Sequence, residues 1–209
     1  MNPDFSKYPI CDTDMWVYLY LSDFLGRVLE KYEKLVFADV VEQEILAWEQ
    51  NNNKYKDIAI YFKECKENDD ILVIHHEIHI DEDDRDFLEQ ALSDFHFTNG
   101  LKNDPKERNK GEFVSALYAD HFEMPFMKSN DNAFQDGGKG KQEFPELLVK
   151  NWYDVVEEFA TSHNEKIRIR KIVDQEQMQM KYHYEKQKED KKKQDTLSKL
   201  AERFNKRRL

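Results

Sequence analysis

A short apolar run that ends in a carboxylate and passes straight into a helix constrains this chain more than any other feature. Tyr8-Pro9-Ile10-Cys11 leads into Asp12-Thr13-Asp14, and residues 15–24 read as a helix. A strand that delivers Asp at its C-terminal end, directly before a helix, is how open α/β sheets place a reactive group. Thr13 can hold nearby backbone or carboxylate oxygens through its hydroxyl. Asp14 is placed to cap the helix by accepting from free N–H groups. A carboxylate that only caps a helix is the competing account of this stretch.

The same strand-to-helix rhythm continues. Leu35-Val36-Phe37-Ala38 is a second strand, followed by a helix over residues 39–48 with Asp39 near its cap. Val40, Val41, Glu44 and Trp48 fall at helical spacing, which puts Glu44 on or beside the apolar face. A carboxylate there is costly unless it is paired or metal-bound; the alternative is a Glu at the edge of the face that reaches solvent. Asn51-Asn52-Asn53 is a break, residues 54–66 read as a helix, and Ile71-Leu72-Val73-Ile74 is a strand. His75-His76-Glu77-Ile78-His79 invites a metal reading. Strand alternation would split its histidines between two faces, and neither a Cys nor a helical His pair completes a zinc set.

Residues 81–97 read as a helix with Phe87, Leu88, Ala91, Leu92 and Phe95 as its buried stripe. A polar loop over residues 98–109 is long enough to border a site. A helix over residues 110–121 follows, with Ser115, Ala116 and Ala119 permitting close packing. Glu112 sits in its first turn, where negative charge is favoured. Residues 124–128 are a fourth strand candidate, and Ser129-Asn130-Asp131-Asn132-Ala133-Phe134 leaves it as a turn into a helix. Gly137-Gly138-Lys139-Gly140-Lys141 has the composition of a phosphate cradle but lacks the following Ser/Thr and a feeding strand, so a loop is expected. Residues 144–149 read as a last edge strand and residues 152–159 as a closing helix. Residues 167–173 suit either a strand or the start of a helix. Beyond them a solvated helix runs to the end, with a weak apolar seam at Leu197, Leu200 and Phe204 but no sustained heptads.

Composition narrows the class. The 209 residues suit one core domain plus an extension, with residues 1–163 as the domain and 164–209 as a basic helical C-terminal tail. Hydrophobic residues make up 39% and charged residues 36%, and no apolar run is long enough for a membrane span. Met1-Asn2-Pro3-Asp4 lacks the basic and apolar regions of a signal peptide, and Cys11 and Cys65 form no metal or redox spacing. A cytoplasmic location is therefore the expectation. The net charge of −11 hides a split: residues 165–209 carry 15 Lys/Arg against 8 Asp/Glu, which is +7, leaving −18 on the remainder. An acidic body argues against nucleic-acid binding over the whole surface, whereas a basic tail permits it locally.

Four carboxylates recur at equivalent places: Asp12 ends the first strand, Glu44 lies in the helix after the second, Glu112 opens a later helix, and Asp131 follows a later strand. In a parallel sheet with right-handed crossovers, strand C-termini and helix N-termini share one edge, where three of these groups are expected to meet, with Glu44 reaching in from its helix. Carboxylates packed together repel unless they bind cations, and hard oxygen ligands suit Mg²⁺ or Mn²⁺. Such a site can activate water and neutralise a phosphodiester in an in-line displacement.

These segments carry a family resemblance. Asp12-Thr13-Asp14-Met15-Trp16-Val17 resembles the Asp-Thr-Asn opening motif of PIN-domain ribonucleases, and Val41-Glu42-Gln43-Glu44-Ile45 resembles their second acidic motif. Gly111-Glu112-Phe113-Val114-Ser115-Ala116-Leu117 is similar to their Gly-Glu-x-x-Ala-Leu helix. Met127-Lys128-Ser129-Asn130-Asp131 resembles the Thr-x-Asp after their fourth strand. The resemblance spans about residues 5–160. It implies a three-layer α/β/α PIN-like domain with a central parallel sheet, acting as a metal-dependent endoribonuclease on RNA. It also implies a toxin of a toxin–antitoxin pair, with an antitoxin or other protein partner, and it allows a homodimer. Asp12, Glu44, Glu112 and Asp131 would be both the catalytic groups and the Mg²⁺ or Mn²⁺ ligands, with Asp14, Ser129 and Asn130 in support. Asp14 stands where the family has Asn, Ser129 where it has Thr, and the basic tail has no counterpart in a minimal member. Two other classes fit parts of the pattern. One is a catalytically silent PIN-like binding module. The other is a haloacid-dehalogenase-like phosphatase, for which Asp12-Thr13-Asp14 supplies the opening but Trp16 departs from the pattern.

Overall fold

The computed structural model describes residues 3–50, 55–104, 107 and 109–206. The chain falls into two compact units, Met1–Thr161 and Ser162–Leu209. The first is an α/β domain built on a five-stranded, wholly parallel sheet: β1 (Ile10–Cys11), β2 (Leu35–Ala38), β3 (Ile71–Ile74), β4 (Met127–Lys128) and β5 (Val149–Lys150). Nearly all of these strand residues are buried, as expected where helices cover both faces of a parallel sheet.

Helices fill the connections. They are α1 (Thr13–Ser22), α2 (Leu25–Tyr32), α3 (Asp39–Leu46), α4 (Lys56–Glu67), the single turn α5 (His76–His79), α6 (Glu82–Asp94), α7 (Lys110–His121), the short α8 (Lys139–Glu143) and α9 (Trp152–Phe159). Register sorts them into layers. Phe37, Cys11, Lys128 and Lys150 lie side by side on one face of the sheet. There Trp16 of α1 stands edge-on to Phe37 at 5.8 Å and to Phe62 of α4 at 5.2 Å. Its indole N–H donates to the Ile58 carbonyl at 3.2 Å, satisfying the polar atom of a fully buried ring. Tyr32 of α2 and Phe159 of α9 meet on the same side. Two helices, α3 and α7, pack against each other, and α7 crosses β2, β1 and β4.

The strand order is β3-β2-β1-β4-β5. The chain builds outward from β1 through β2 to β3, then returns to the other side of β1 for β4 and β5. The order therefore reverses between β1 and β4. Open parallel sheets bind ligands in the crevice at such a reversal, beyond the strand C-termini. Asp12 directly follows β1, and Ser129-Asn130-Asp131 directly follows β4.

Several expectations change. Asp12, not Asp14, caps α1: its Oδ1 accepts from the Met15 amide at 2.8 Å, because the cap lies one residue before the first helical turn. Asp39 does lie next to the cap of α3, as the first helical residue after Ala38. Phe87 is 73% exposed, since the buried positions of α6 are Leu88 and Leu92, and a residue adjacent to Leu88 is turned about 100° from it. β3 stops at Ile74 and His76–His79 is a helical turn, so strand alternation does not apply to the histidines. Residues 139–143 form a helix rather than a loop, with Gly140 seated so closely on Phe134 that a Cβ would lie 2.6 Å from the ring. The last strand is confined to Val149–Lys150, with a turn at Pro145–Glu146 in place of its expected first half.

The second unit is the helix α10 (His163–Lys206), which resolves the choice at residues 167–173 in favour of helix. The side chains of Leu197, Leu200 and Phe204, like the break at Asn51-Asn52-Asn53, lie outside the described residues. Among the described residues, no helix is long and apolar enough to cross a membrane.

Candidate functional site

Five carboxylates meet at the reversal between β1 and β4. Asp12 is 1% exposed at the end of β1. Its Oδ1 is used by the Met15 amide, while its Oδ2 is buried without a hydrogen-bond partner. Burial, and then the neighbouring Asp14, push its carboxyl up to about 7; the Ser129 hydroxyl and the Met15 and Asn130 amides pull the other way. Asp14 remains open to solvent at the rim, yet desolvation and the charge of Asp131 raise its pKa as well.

Glu44 is held from below. Thr13 donates its hydroxyl proton to Glu44 Oε2 at 2.6 Å, tying the start of α1 to α3. Desolvation raises the Glu44 pKa, and Asp14 adds to it, against the opposing hydrogen bond from Thr13. Gly111 admits this arrangement: a Cβ there would lie 3.2 Å from both Glu44 Oε1 and Val41 Cγ2, so only glycine lets α7 come this close to α3 without a shift.

Glu112, the next residue, joins the group from the first turn of α7. Its carboxyl is pushed up to about 8, by desolvation first and then by the charges of Asp12, Glu44 and Asp131. Three carboxylates from three separate elements thus act on this one group. Asp131 follows β4 and is fixed by local bonds: its amide donates to Ser129 Oγ at 3.2 Å, and its Oδ1 accepts from the Ala133 amide at 2.6 Å. Ser129 is fully buried and Asn130 half-buried beside it.

The polar loop before α7 is clamped to that helix. Lys110 is 1% exposed; its ammonium donates to Glu107 Oε2 at 2.7 Å and to the Lys102 carbonyl. Burial alone would raise Glu107, but Lys110 and Thr98 hold it down to about 2. The clamp carries Asn109 to the rim, where its amide reaches Asp131 Oδ1 at 3.5 Å.

Asp12, Glu44, Glu112 and Asp131 are therefore brought into one electrostatic neighbourhood, and Asp14 belongs to it as fully as they do. Among the described residues, no group of three or more His, Cys, Asp or Glu side chains is arranged so as to hold a metal ion. The fit to a hard divalent ion is one of chemistry. The donors are all oxygen, one buried carboxylate oxygen has no partner, and four of the carboxyls are raised by burial and mutual repulsion that a cation would relieve.

Two polar arrangements escaped the sequence. Asp39, 3% exposed after β2, bonds His76 and Tyr118. Its position after β2 matches that of Asp12 after β1, which is the signal that was available. Lys128 lies fully buried with its ammonium 5.0–5.7 Å from the ring centres of Phe126, Tyr32 and Phe159. No pattern in the sequence marks it. No protein-family model, curated protein or solved structure matches this chain.

Proposed function

We propose that this chain is a metal-dependent endoribonuclease with a PIN-like domain, hydrolysing RNA phosphodiester bonds at the carboxylate cluster. The observation that carries the proposal is the gathering of Asp12, Glu44, Asp131 and Glu112 at the β1/β4 reversal, where burial first, and then the charges of the other three, push the Glu112 carboxyl up to about 8. Uncompensated acid groups gathered at one point are stable only with a cation or with protons. The order of four sequence motifs supports the same conclusion.

In this proposal Asp12, Glu44, Glu112 and Asp131 would hold Mg²⁺ or Mn²⁺. The ion would neutralise the phosphodiester and promote water attack in line with the leaving oxygen. The chain's own contribution is placement and proton handling. Thr13 fixes Glu44. The Met15 amide fixes Oδ1 of Asp12 and leaves Oδ2 free. Ser129 supports Asp131 through its backbone amide. The Glu112 and Asp12 carboxyls, raised towards neutrality by burial and by neighbouring carboxylates, would give up any proton they hold as a cation binds. A toxin role with an antitoxin partner, and RNA recognition by the basic tail, belong to the same proposal.

The test is cleavage of a single-stranded RNA in Mn²⁺ by wild type and Asp12→Asn, alongside release of phosphate from a small phosphomonoester. Metal-dependent RNA cleavage lost in the variant is expected. Phosphate release without RNA cleavage would point to the phosphatase class. RNA binding with neither activity would point to the silent binding module.

A further inference from the structure

A second polar site stands beside the carboxylate cluster, and none of the chemistry above uses it. At its base the Asp39 carboxylate is fully engaged. Oδ1 accepts from the Val40 amide at 2.9 Å and from the Tyr118 hydroxyl at 3.2 Å. Oδ2 accepts from the His76 amide at 3.1 Å and lies 2.5 Å from His76 Nδ1. An ionised Asp39 makes Nδ1 the protonated nitrogen, which fixes the imidazole plane and leaves Nε2 as the ring's free nitrogen. Asp39 thus acts as an orienting group for His76 and has no lone pair left for a ligand of its own.

His76 forms part of the wall of a cavity of about 420 Å³, within the size range of small-molecule sites. Gln43, Asn103, His75 and Lys102 line it together with His76. The two carboxamides each present an acceptor and two donors, the pairing that reads the hydrogen-bonding edge of a nucleobase. Imidazoles offer flat faces on which an unstacked base can lie. Lys102 supplies a cationic donor that a phosphate needs, and Nε2 of His76 can accept from a phosphate hydroxyl or, once protonated, donate to a phosphate oxygen. The remaining charges nearby are accounted for: Glu42, 3.8 Å from His75, is held by Lys66 at 2.6 Å, and Glu77 is exposed at the rim. Lys102 is positioned through its backbone, because its carbonyl accepts from the buried ammonium of Lys110.

We infer that this cavity binds one nucleotide, with Gln43 and Asn103 at the base edge and with Lys102 and the Asp39-oriented His76 at the phosphate. The inference rests on the nuclease proposal for its setting. Gln43 adjoins Glu44 on α3, and Tyr118, which holds Asp39, shares α7 with Glu112. A single strand of RNA crossing the C-terminal edge of the sheet would place one extruded nucleotide in the cavity and a neighbouring phosphate at the carboxylates. The cavity is then the element that selects which nucleotide flanks the cut.

The experiment uses the full-length Asp12→Asn protein, and the wild type in chelator as a second protein, so that no cleavage intervenes. Imidazole ¹⁵N–¹H spectra are followed on addition of each of the four nucleoside 5′-monophosphates, of ribose 5-phosphate and of inorganic phosphate. At least one nucleotide should shift the His76 ring signals saturably, with ribose 5-phosphate at least about tenfold weaker, the loss expected when a base edge leaves polar partners unpaired. Lys102→Ala should weaken the nucleotide about tenfold, as loss of a charge-assisted hydrogen bond predicts, and Gln43→Ala should narrow the preference among bases. No saturable shift with any nucleotide at millimolar concentration overturns the inference, as does equal binding of nucleotide and ribose 5-phosphate. Saturable binding by a protein that never cleaves RNA in Mn²⁺ would leave this site standing and remove the nuclease proposal. Cleavage without nucleotide binding would do the reverse.

Discussion

Thr13 and Glu44, 31 positions apart, are joined by a hydrogen bond of 2.6 Å from the Thr13 hydroxyl to Glu44 Oε2. The bond locks the first turn of α1 to α3 and opposes the rise that burial imposes on Glu44. Thr13→Val keeps the shape and removes the donor. It should destabilise the protein by about 1.5–3 kcal/mol, the range for hydrogen bonds to charged groups, and raise the Glu44 pKa further. Urea denaturation and a carboxyl-carbon NMR titration of Glu44 check the two halves; an unchanged Glu44 titration would remove the role assigned to Thr13.

The cluster sets a pH dependence. Burial, and then neighbouring carboxylates, push Asp12 up to about 7 and Glu112 up to about 8, against ordinary values of 3.8 and 4.5. Raised carboxyls stabilise the fold below their unfolded values, and that stability is lost as pH climbs through the folded values. Without metal, thermal stability should therefore fall from about pH 5 to 8 by this linkage. Asp12→Asn should flatten the fall and be the more stable protein at pH 8. His79, held below its ordinary 6.5 by burial, works in the opposite sense, but it is common to both proteins and drops out of the difference. Mn²⁺ should raise the melting temperature of wild type more than that of the variant, because a ligand stabilises the state it binds. Parallel melting-temperature curves for the two proteins would refute the linkage.

Glu42 separates structural from functional acids on the same helix. It is 8% exposed and bonded to Lys66 at 2.6 Å, away from the cluster. Glu42→Gln should lower stability by about 1 kcal/mol and leave RNA cleavage within about twofold, a free-energy change of about 0.4 kcal/mol. A loss of cleavage as large as that of Glu44→Gln would count against the assignment of Glu44 rather than Glu42.

Lys128 is a buried ammonium that the proposed chemistry does not need. Desolvation lowers its pKa to about 8, and the faces of Tyr32, Phe126 and Phe159 offset part of that penalty. A lowered lysine costs stability wherever it is still protonated, and the cost fades as pH rises from about 8 towards its usual 10.5. Lys128→Met should therefore be more stable than wild type at pH 7, with the gain shrinking by pH 10. Denaturant midpoints at the two pH values decide it; a destabilised variant at pH 7 would mean that the aromatic cage outweighs desolvation.

The tail is expected to bind rather than catalyse. Its excess of basic residues beside an acidic body is the motive. Deleting residues 174–209 should leave the first unit folded while lowering RNA affinity and flattening the salt dependence of binding, since fewer counterions are released. Equal affinity of truncated and full-length protein across a salt series would rule the tail out as an RNA contact.

The sequence by itself determined the alternation of strand and helix. Leu35–Ala38, Ile71–Ile74, Lys110–His121 and Trp152–Phe159 were legible because apolar runs and helical periodicity are local properties of the chain. It also marked Asp12, Glu112 and Asp131, because strand ends and helix starts share one edge of a parallel sheet, and Glu44, because helical spacing puts it beside the apolar face of its helix. Tertiary structure decided what each acid experiences. Asp14 and Glu44 feel one another only because α1 and α3 pack together at that edge, and Glu112 is pushed up to about 8 by burial first and then by charges up to 100 positions away in the chain. Asp39, Glu42 and Glu44 sit on one short helix, yet the first orients His76, the second pairs with Lys66 and the third joins the cluster. Burial of Lys128 among three rings was likewise invisible, since Tyr32, Phe126 and Phe159 come together only when α2, the approach to β4 and α9 converge on one face of the sheet. Desolvation and charge–charge repulsion depend on distance in space, and only the folded chain sets those distances.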